Sequence, residues 1–191
     1  MKHHLLLPGV LLMLSSCNML QPVKDLSIHH VLDPLVADRA LTSSAPAIAV
    51  NRPSLPSYLD RQQLVTRAGG QLVLSDHHLW AEPLDAALAR VTASNLSRLT
   101  GSMNIQTVAG FTSLDYSELL EIQVAQFEPD AANHMILQGT WKLQPVSGRQ
   151  SHTRFYHIEV PIPATADVMT GRVTAMNQAL ERLARDIAGS L

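Results

Sequence analysis

The alternation of apolar and polar residues predicts several strands in the first part of the chain. Two short apolar runs, at 63–66 and 71–74, flank the sequence Ala68-Gly69-Gly70. Because glycine tolerates positive φ, the two glycines favour a tight turn between the strands of a hairpin. Short apolar stretches at 27–32 and 47–50 predict two earlier strands.

Spacings of three and four residues between apolar positions predict two helices. The chain crosses from the hairpin through residues 77–82 and enters the first helix at Pro83, where a missing N–H removes no intrahelical hydrogen bond. Gly101 is a suitable residue for the end of this helix. The second helix covers 169–187 and carries charged residues opposite its apolar side. It is therefore predicted to be an amphipathic helix that packs on a sheet.

Strict alternation between the two helices predicts three more strands, at 120–126, 135–143 and 156–160. Their short connections favour an antiparallel meander. The elements then follow one another as four strands, a helix, three strands and a helix. This order predicts an α/β or α+β fold with two main helices and a mixed sheet of five to seven strands.

The start of the chain has the features of an export signal. Lys2 precedes an apolar run at 5–14, which is shorter than the roughly 20 residues that span a bilayer. The following Leu14-Ser15-Ser16-Cys17 resembles the bacterial lipobox, whose cysteine is acylated when the signal is removed. We therefore expect a signal peptide at 1–16, a lipid-anchored tether at 17–26 and a single α/β domain at 27–191. The alternative is an ordinary secreted protein with a buried Cys17.

Composition excludes several classes of protein. Apolar residues make up 46% of the chain and charged residues 16%, which is typical of a globular protein. The net charge is -2, so the chain lacks the excess of basic residues that is typical of proteins that bind nucleic acid. A single cysteine allows neither an intrachain disulfide nor a cysteine-based zinc site.

The sequence contains little that indicates catalysis or metal binding. The pairs His29-His30 and His77-His78 are adjacent in sequence, and adjacent side chains on a strand point to opposite faces, so neither pair chelates a metal from one face. No nucleophile elbow, Walker loop or HExxH motif occurs. We expect no enzymatic activity, no metal and no cofactor. The remaining alternative is a hydrolase with an unrecognised triad drawn from Ser113, His134 and His157.

Two short motifs contain the candidate functional residues. They are Tyr58-Leu59-Asp60-Arg61 and Trp80-Ala81-Glu82-Pro83-Leu84. Asp60 and Arg61 fit an ion pair at a strand edge or a binding contact. Trp80 fits a core anchor or a ligand-stacking group, and Glu82 favours the positive end of the first helix.

Together with the lipobox and the terminal helix, these motifs resemble the PqiC/YmbA family of ABC-type transport auxiliary lipoproteins. The resemblance implies a three-layer α/β fold and no enzymatic activity. It also implies an outer-membrane lipoprotein that faces the periplasm and accompanies an MCE-domain transport protein, which moves lipids between the two membranes. Inner-membrane lipoproteins commonly have Asp after the acylated cysteine. This chain has Asn18 there, which favours the outer membrane.

In this interpretation the protein docks and positions the MCE-domain protein. Assembly of several copies of the chain into a homo-oligomer is compatible with this role. The candidate partner-contact or structural residues are Tyr58, Asp60, Arg61, Trp80 and Glu82. The alternative function is a periplasmic lipid-binding carrier, with a pocket between helix and sheet.

Overall fold

The structure is a computed structural model that describes residues 24–36, 40–42, 47–110, 115–148 and 151–191. The predicted signal peptide, Cys17 and most of the predicted tether lie outside these residues. Within the described ranges, no helix is both long enough and apolar enough to cross a bilayer.

Eight strands form two sheets. In chain order they are β1 (Ile28–His30), β2 (Ile48–Val50), β3 (Gln63–Ala68), β4 (Gln71–Trp80), β5 (Ile105–Thr107), β6 (Glu118–Pro129), β7 (His134–Pro145) and β8 (Arg154–Pro161). The smaller sheet has the order β1-β4-β3 and the larger one has the order β5-β2-β6-β7-β8. Both are mixed, because β1 lies parallel to β4 and β2 lies parallel to both β5 and β6, while the remaining pairs are antiparallel.

Two helices, α1 (Leu84–Thr100) and α2 (Val168–Ala188), have defined ends. Pro83 immediately precedes α1, and Gly101 ends it with a positive φ of 74°. That conformation is favourable for glycine, and its N–H donates to the carbonyl of Ser97. At the start of α2 the Asp167 carboxylate accepts hydrogen bonds from the N–H groups of Met169 and Thr170. A short 3₁₀ helix follows β5 at Val108–Gly110.

The main core lies between the larger sheet and the two helices. The helices contact each other, and α1 packs on β2 and β5 while α2 packs on β7 and β8, so both cover the same face. Alternate residues of β6 point into this core, among them Leu120, Ile122 and Val124. The opposite face of β6 is polar, as its period of two predicts.

The predicted fold class is confirmed. The hairpin, the antiparallel meander, both helices and the amphipathic character of α2 all occur. The strands divide into two sheets where the sequence predicted one, and the larger sheet has five strands, within the predicted number. The prediction omitted β5 and ended the second hairpin strand too early, because β4 continues to Trp80, where it pairs with β1.

Candidate docking site

The first predicted motif begins at a buried ionic network. Glu128 on β6 is fully buried, and its carboxylate accepts hydrogen bonds from Arg67 Nε at 2.9 Å and Tyr58 Oη at 3.0 Å. The backbone N–H of Phe127 donates to the same carboxylate at 3.0 Å. These donors compensate the loss of water around a buried charge. Tyr58 therefore holds the loop before β3 against β6.

The network also shifts the pKa values of its members. Burial, followed by the charge of Glu128, raises the pKa of Tyr58. The hydrogen bond to Glu128 raises the pKa of Arg67, whose guanidinium also lies 5.7 Å from the centre of the Tyr58 ring. At neutral pH Tyr58 is therefore a hydrogen-bond donor and Arg67 a cation, and both direct their donors at Glu128.

Trp80 is a core anchor. Its side chain is 5% exposed, and the backbone N–H donates to the carbonyl of Gln62 at 2.7 Å. Leu59 and Leu84, from the two predicted motifs, are buried in the same core. The two motifs therefore meet in space, but this part of them is interior and does not offer a surface to a partner.

Glu82 is half-buried and forms an ion pair with Arg90 of α1. Arg90 Nε donates to Glu82 Oε1 at 3.1 Å, and Arg90 Nη2 donates to the carbonyl of Leu32 at 2.9 Å. A second ion pair, between Arg52 and Asp85 at 3.2 Å, lies at the start of the same helix. Arg90 thus connects α1 both to Glu82, just before the helix, and to the chain after β1.

Asp60 and Arg61 are exposed to solvent in the loop that leads to β3. Within the described part of the chain, neither forms the ion pair that their sequence suggested. Of the five candidate residues, these two are the most exposed.

A groove of about 430 Å³ lies beside α1. Its rim carries Arg52, Glu82 and Arg90, and small residues of α1, Ala86 and Ala89, form part of its lining. A polar rim around small or apolar residues is the usual composition of a protein interface. No local pattern in the sequence indicated this groove, because its other wall comes from the 3₁₀ helix after β5.

The apolar cavity between α2 and the smaller sheet is very small. It is lined by residues such as Trp80, Met169 and Met176, and its volume is about 10 Å³. A single water molecule needs roughly 10–15 Å³ measured in this way. This cavity therefore has no room for an acyl chain.

Histidines do not assemble a metal centre in the described ranges, where no three His, Cys, Asp or Glu side chains converge. One histidine of each sequence pair does meet the other across the parallel strands, since His30 Nε2 lies 2.8 Å from His78 Nδ1. The separation of the ring centroids, 5.1 Å, is about this distance plus one ring radius at each end. The two nitrogens therefore face each other directly, as in an N–H···N hydrogen bond.

The hydrolase candidates are not brought together either. His134 lies opposite Pro161 at the start of β7, whereas His157 lies opposite Gln138, four residues further along the strand. At roughly 3.4 Å per residue, the two histidines are about 14 Å apart along the sheet. Ser113 lies outside the described residues.

Comparison with known proteins shows the family of the chain. The family model described as ABC-type transport auxiliary lipoprotein component matches residues 30–188. The chain belongs to this family. The resemblance seen in the short motifs is thereby confirmed, and the protein is a lipoprotein-type auxiliary component of a transporter and not a member of a known enzyme family.

Two crystal structures show a similar fold. One, of an uncharacterized protein, has a TM-score of 0.68 and 22% identity, covering 85% of this chain and 96% of its own. The other, a DUF330-family protein from Xanthomonas campestris, has a TM-score of 0.64 and 18% identity, covering 81% of this chain and 90% of its own. No curated protein matches the chain at a significant level.

Proposed function

We propose that the protein is an outer-membrane lipoprotein subunit of an MCE/Pqi-type intermembrane lipid transport system. Acylated Cys17 anchors it to the periplasmic face of that membrane, and the folded body docks and positions the MCE-domain protein. The observation that carries this proposal is the family match over 30–188, which assigns the chain to transporter auxiliary lipoproteins. The lipobox at Cys17 supplies the anchor.

The exposed loop at Asp60-Arg61 and the groove beside α1 are the proposed docking surface. The loop offers one charge of each sign, and the groove offers the Arg52–Asp85 and Glu82–Arg90 ion pairs around small residues. Charges at the rim of an interface mainly orient a partner and suppress wrong partners. Such a surface suits a component that positions another protein.

The alternative function, a periplasmic lipid-binding carrier, receives less support. A carrier needs an apolar cavity that shields an acyl chain, and the cavity beneath α2 holds about 10 Å³. The docking role needs only a surface, whereas a carrier would have to use the more open, mostly apolar pocket of about 370 Å³ between the C-terminal ends of the two helices and the larger sheet.

Site-specific photo-crosslinking in native membranes tests the docking role. A photoreactive residue at Arg61 or at Val108 beside the groove is expected to crosslink to an MCE-domain protein. The same residue at Gln178, exposed on α2, is the matched control and is expected to give no such crosslink. If neither Arg61 nor Val108 captures an MCE-domain protein from membranes that retain the acylated chain, the docking role is wrong. Crosslinks between copies of the chain at Arg61 would instead assign the loop to a homo-oligomer.

A further inference from the structure

Three consecutive apolar side chains are exposed near the tip of the β3–β4 hairpin. Leu72, Val73 and Leu74 are 42%, 49% and 39% exposed. Successive residues of a strand point to opposite faces, so both faces of this end of β4 are open to solvent. Consecutive exposed apolar residues are uncommon in a soluble protein unless they have a function.

One edge of the same segment has no neighbouring strand within the described residues. β1 pairs with β4 only from His78 to Trp80, while β3 occupies the other edge of β4 at residues 71–74. The stretch 71–77 is therefore an open edge, which most proteins protect by charges or by a covering segment.

The tip of the hairpin carries no charge. No Asp, Glu, Lys or Arg occurs from 68 to 75, and the nearest cation, Arg67, is paired with Glu128. Transfer of residues 68–75 into the interfacial region of a bilayer therefore desolvates no ionised side chain of their own, and Arg67, which lies opposite Leu72 on β3, keeps its ion pair with Glu128. A protein-binding edge would normally carry charges that select the partner.

The direction of β1 shows that the described chain enters the smaller sheet from this end of the molecule. Because β1 runs parallel to β4, the chain before Ile28 comes from the side of the Gly69-Gly70 turn.

The length of the tether allows the turn to reach the bilayer. Cys17 precedes Ile28 by 11 residues (28 minus 17), which span at most about 38 Å. Gly70 precedes His78, the partner of Ile28, by eight residues (78 minus 70), which cover about 26 Å of strand. A fully extended tether is therefore long enough to reach past the turn, and the turn can contact the surface that holds the anchor.

We propose that the tip of the β3–β4 hairpin, with Leu72, Val73 and Leu74, inserts into the interfacial region of the phospholipid bilayer that holds Cys17. This contact would give the anchored body a fixed orientation, with the hairpin on the membrane and the opposite end of the larger sheet directed away from it. The inference rests on the anchoring part of the proposed function and adds a second membrane contact to it.

Fluorescence from a single cysteine tests the proposal. Cys17 is the only cysteine and is occupied when acylated, so Val73→Cys provides one free thiol for an environment-sensitive dye. The acylated full chain is reconstituted in phosphatidylethanolamine–phosphatidylglycerol vesicles. We expect a blue-shifted emission at position 73 and at least twofold quenching by lipids with brominated acyl chains.

Val146→Cys is the matched control. Val146 is a valine that directly follows β7 and is 62% exposed. Its N–H donates to the carbonyl of Ser117, so it lies at the start of β6, whereas Glu128 lies near the end of that strand. Its dye is expected to remain in water. Replacing both Leu72 and Leu74 with Asn is expected to abolish the quenching at position 73 while the chain still floats with the vesicles.

The outcomes separate this inference from the anchor. A chain that does not float with vesicles contradicts the anchor and with it the hairpin contact. A chain that floats but leaves position 73 as exposed as position 146 overturns the hairpin contact alone. If position 73 is shielded from water only when an MCE-domain protein is added, the tip binds a protein partner. That result would also overturn the contact between the hairpin and the bilayer.

Discussion

Arg67 donates from Nε to Oε1 of Glu128 at 2.9 Å, and this ion pair joins the two sheets of the molecule. Glu128 belongs to β6 of the larger sheet and is fully buried, whereas Arg67 belongs to β3 and its side chain is 41% exposed. The buried carboxylate therefore depends on a cation that water can still reach. The hairpin that carries Arg67 is also the one that we place on the membrane, so this contact fixes its orientation relative to the main core.

Replacement of Arg67 by Met is expected to destabilise the protein. The change removes the cation but leaves the carboxylate of Glu128 buried. Removing one partner of a buried ion pair costs roughly 3–5 kcal/mol, and we expect about 2–3 kcal/mol because Arg67 is partly exposed. The free energy of unfolding in urea measures this effect.

Two further variants establish its cause. Glu128→Gln added to Arg67→Met removes the unpaired charge and is expected to recover part of the lost stability. Arg185→Met breaks an exposed ion pair with Glu181 on α2, which contributes about 0.5 kcal/mol or less. If Arg67→Met costs no more than Arg185→Met, the structural importance assigned to the Glu128 network is wrong.

Tyr58→Phe separates a structural role of the first motif from a docking role. It removes one hydrogen bond to Glu128, and hydrogen bonds to charged groups contribute about 1.5–3 kcal/mol. We expect a loss of stability in this range, with docking of the MCE-domain protein retained below the unfolding temperature. Urea unfolding and pull-down from membrane extracts measure the two properties.

Arg61→Glu is expected to give the opposite result. Arg61 is exposed, and surface substitutions usually change stability by less than about 0.5 kcal/mol. Its charge reversal should nevertheless weaken capture of the partner. Loss of docking in Tyr58→Phe with full docking in Arg61→Glu would contradict the assignment of both residues.

Local signals in the sequence predicted most of the secondary structure. The Gly69 turn and the Gly101 helix end both have the positive φ values that their position in the sequence suggested. The strand β5 was missed because its three residues, Ile-Gln-Thr, contain one apolar side chain, whereas the equally short β2 is wholly apolar. Its pairing with β2, and the division of the strands into two sheets, depend on contacts between distant segments.

The candidate site was less predictable for the same reason. Glu128 pairs with Arg67 and Tyr58, which lie 61 and 70 residues away in sequence, so no local spacing indicated the network. One usable signal was present, since Glu128 lies between Phe127 and Pro129 in an apolar part of β6. A carboxylate at such a position needs a buried partner, and the choice of partner requires the fold.

Gly139→Ala is expected to disrupt the larger sheet. A Cβ atom at this position would lie 1.9 Å from the carbonyl oxygen of Gln123 and 2.6 Å from Oη of Tyr156. The carbonyl belongs to a paired strand and has little freedom to move. We therefore expect the free energy of unfolding to fall by roughly 3 kcal/mol or more, the upper range for overpacking. Thermal unfolding measures it, and failure to accumulate as soluble protein is an equivalent result.

Gly70→Ala is the matched control for that substitution. Nothing lies within 4 Å of a Cβ at Gly70, and its φ is not positive, so we expect a change of less than about 0.5 kcal/mol. A native-like melting temperature for Gly139→Ala would show that β6 and β7 are farther apart at this point than the structure places them.

His30 and His78 form a pair that responds to pH. Their facing nitrogens lie 2.8 Å apart with the ring planes inclined by 26°, so at most one proton lies between them. Burial, followed by the charge of His78, lowers the pKa of His30, while Asp167 at the start of α2 opposes the shift. The folded state therefore resists protonation of His30 more than the unfolded chain does.

The sign of the pH effect follows from this difference. An unfolded histidine titrates near a pKa of about 6.5, so below that pH the unfolded state binds more protons and stability falls as the pH decreases. We expect the free energy of unfolding to decrease between about pH 7 and pH 5, and His30→Gln to reduce that decrease. His157→Gln is the control, because His157 is exposed and its partner is Glu159 at 2.9 Å on the same strand. An unchanged pH dependence in His30→Gln would mean that other groups cause the acid sensitivity.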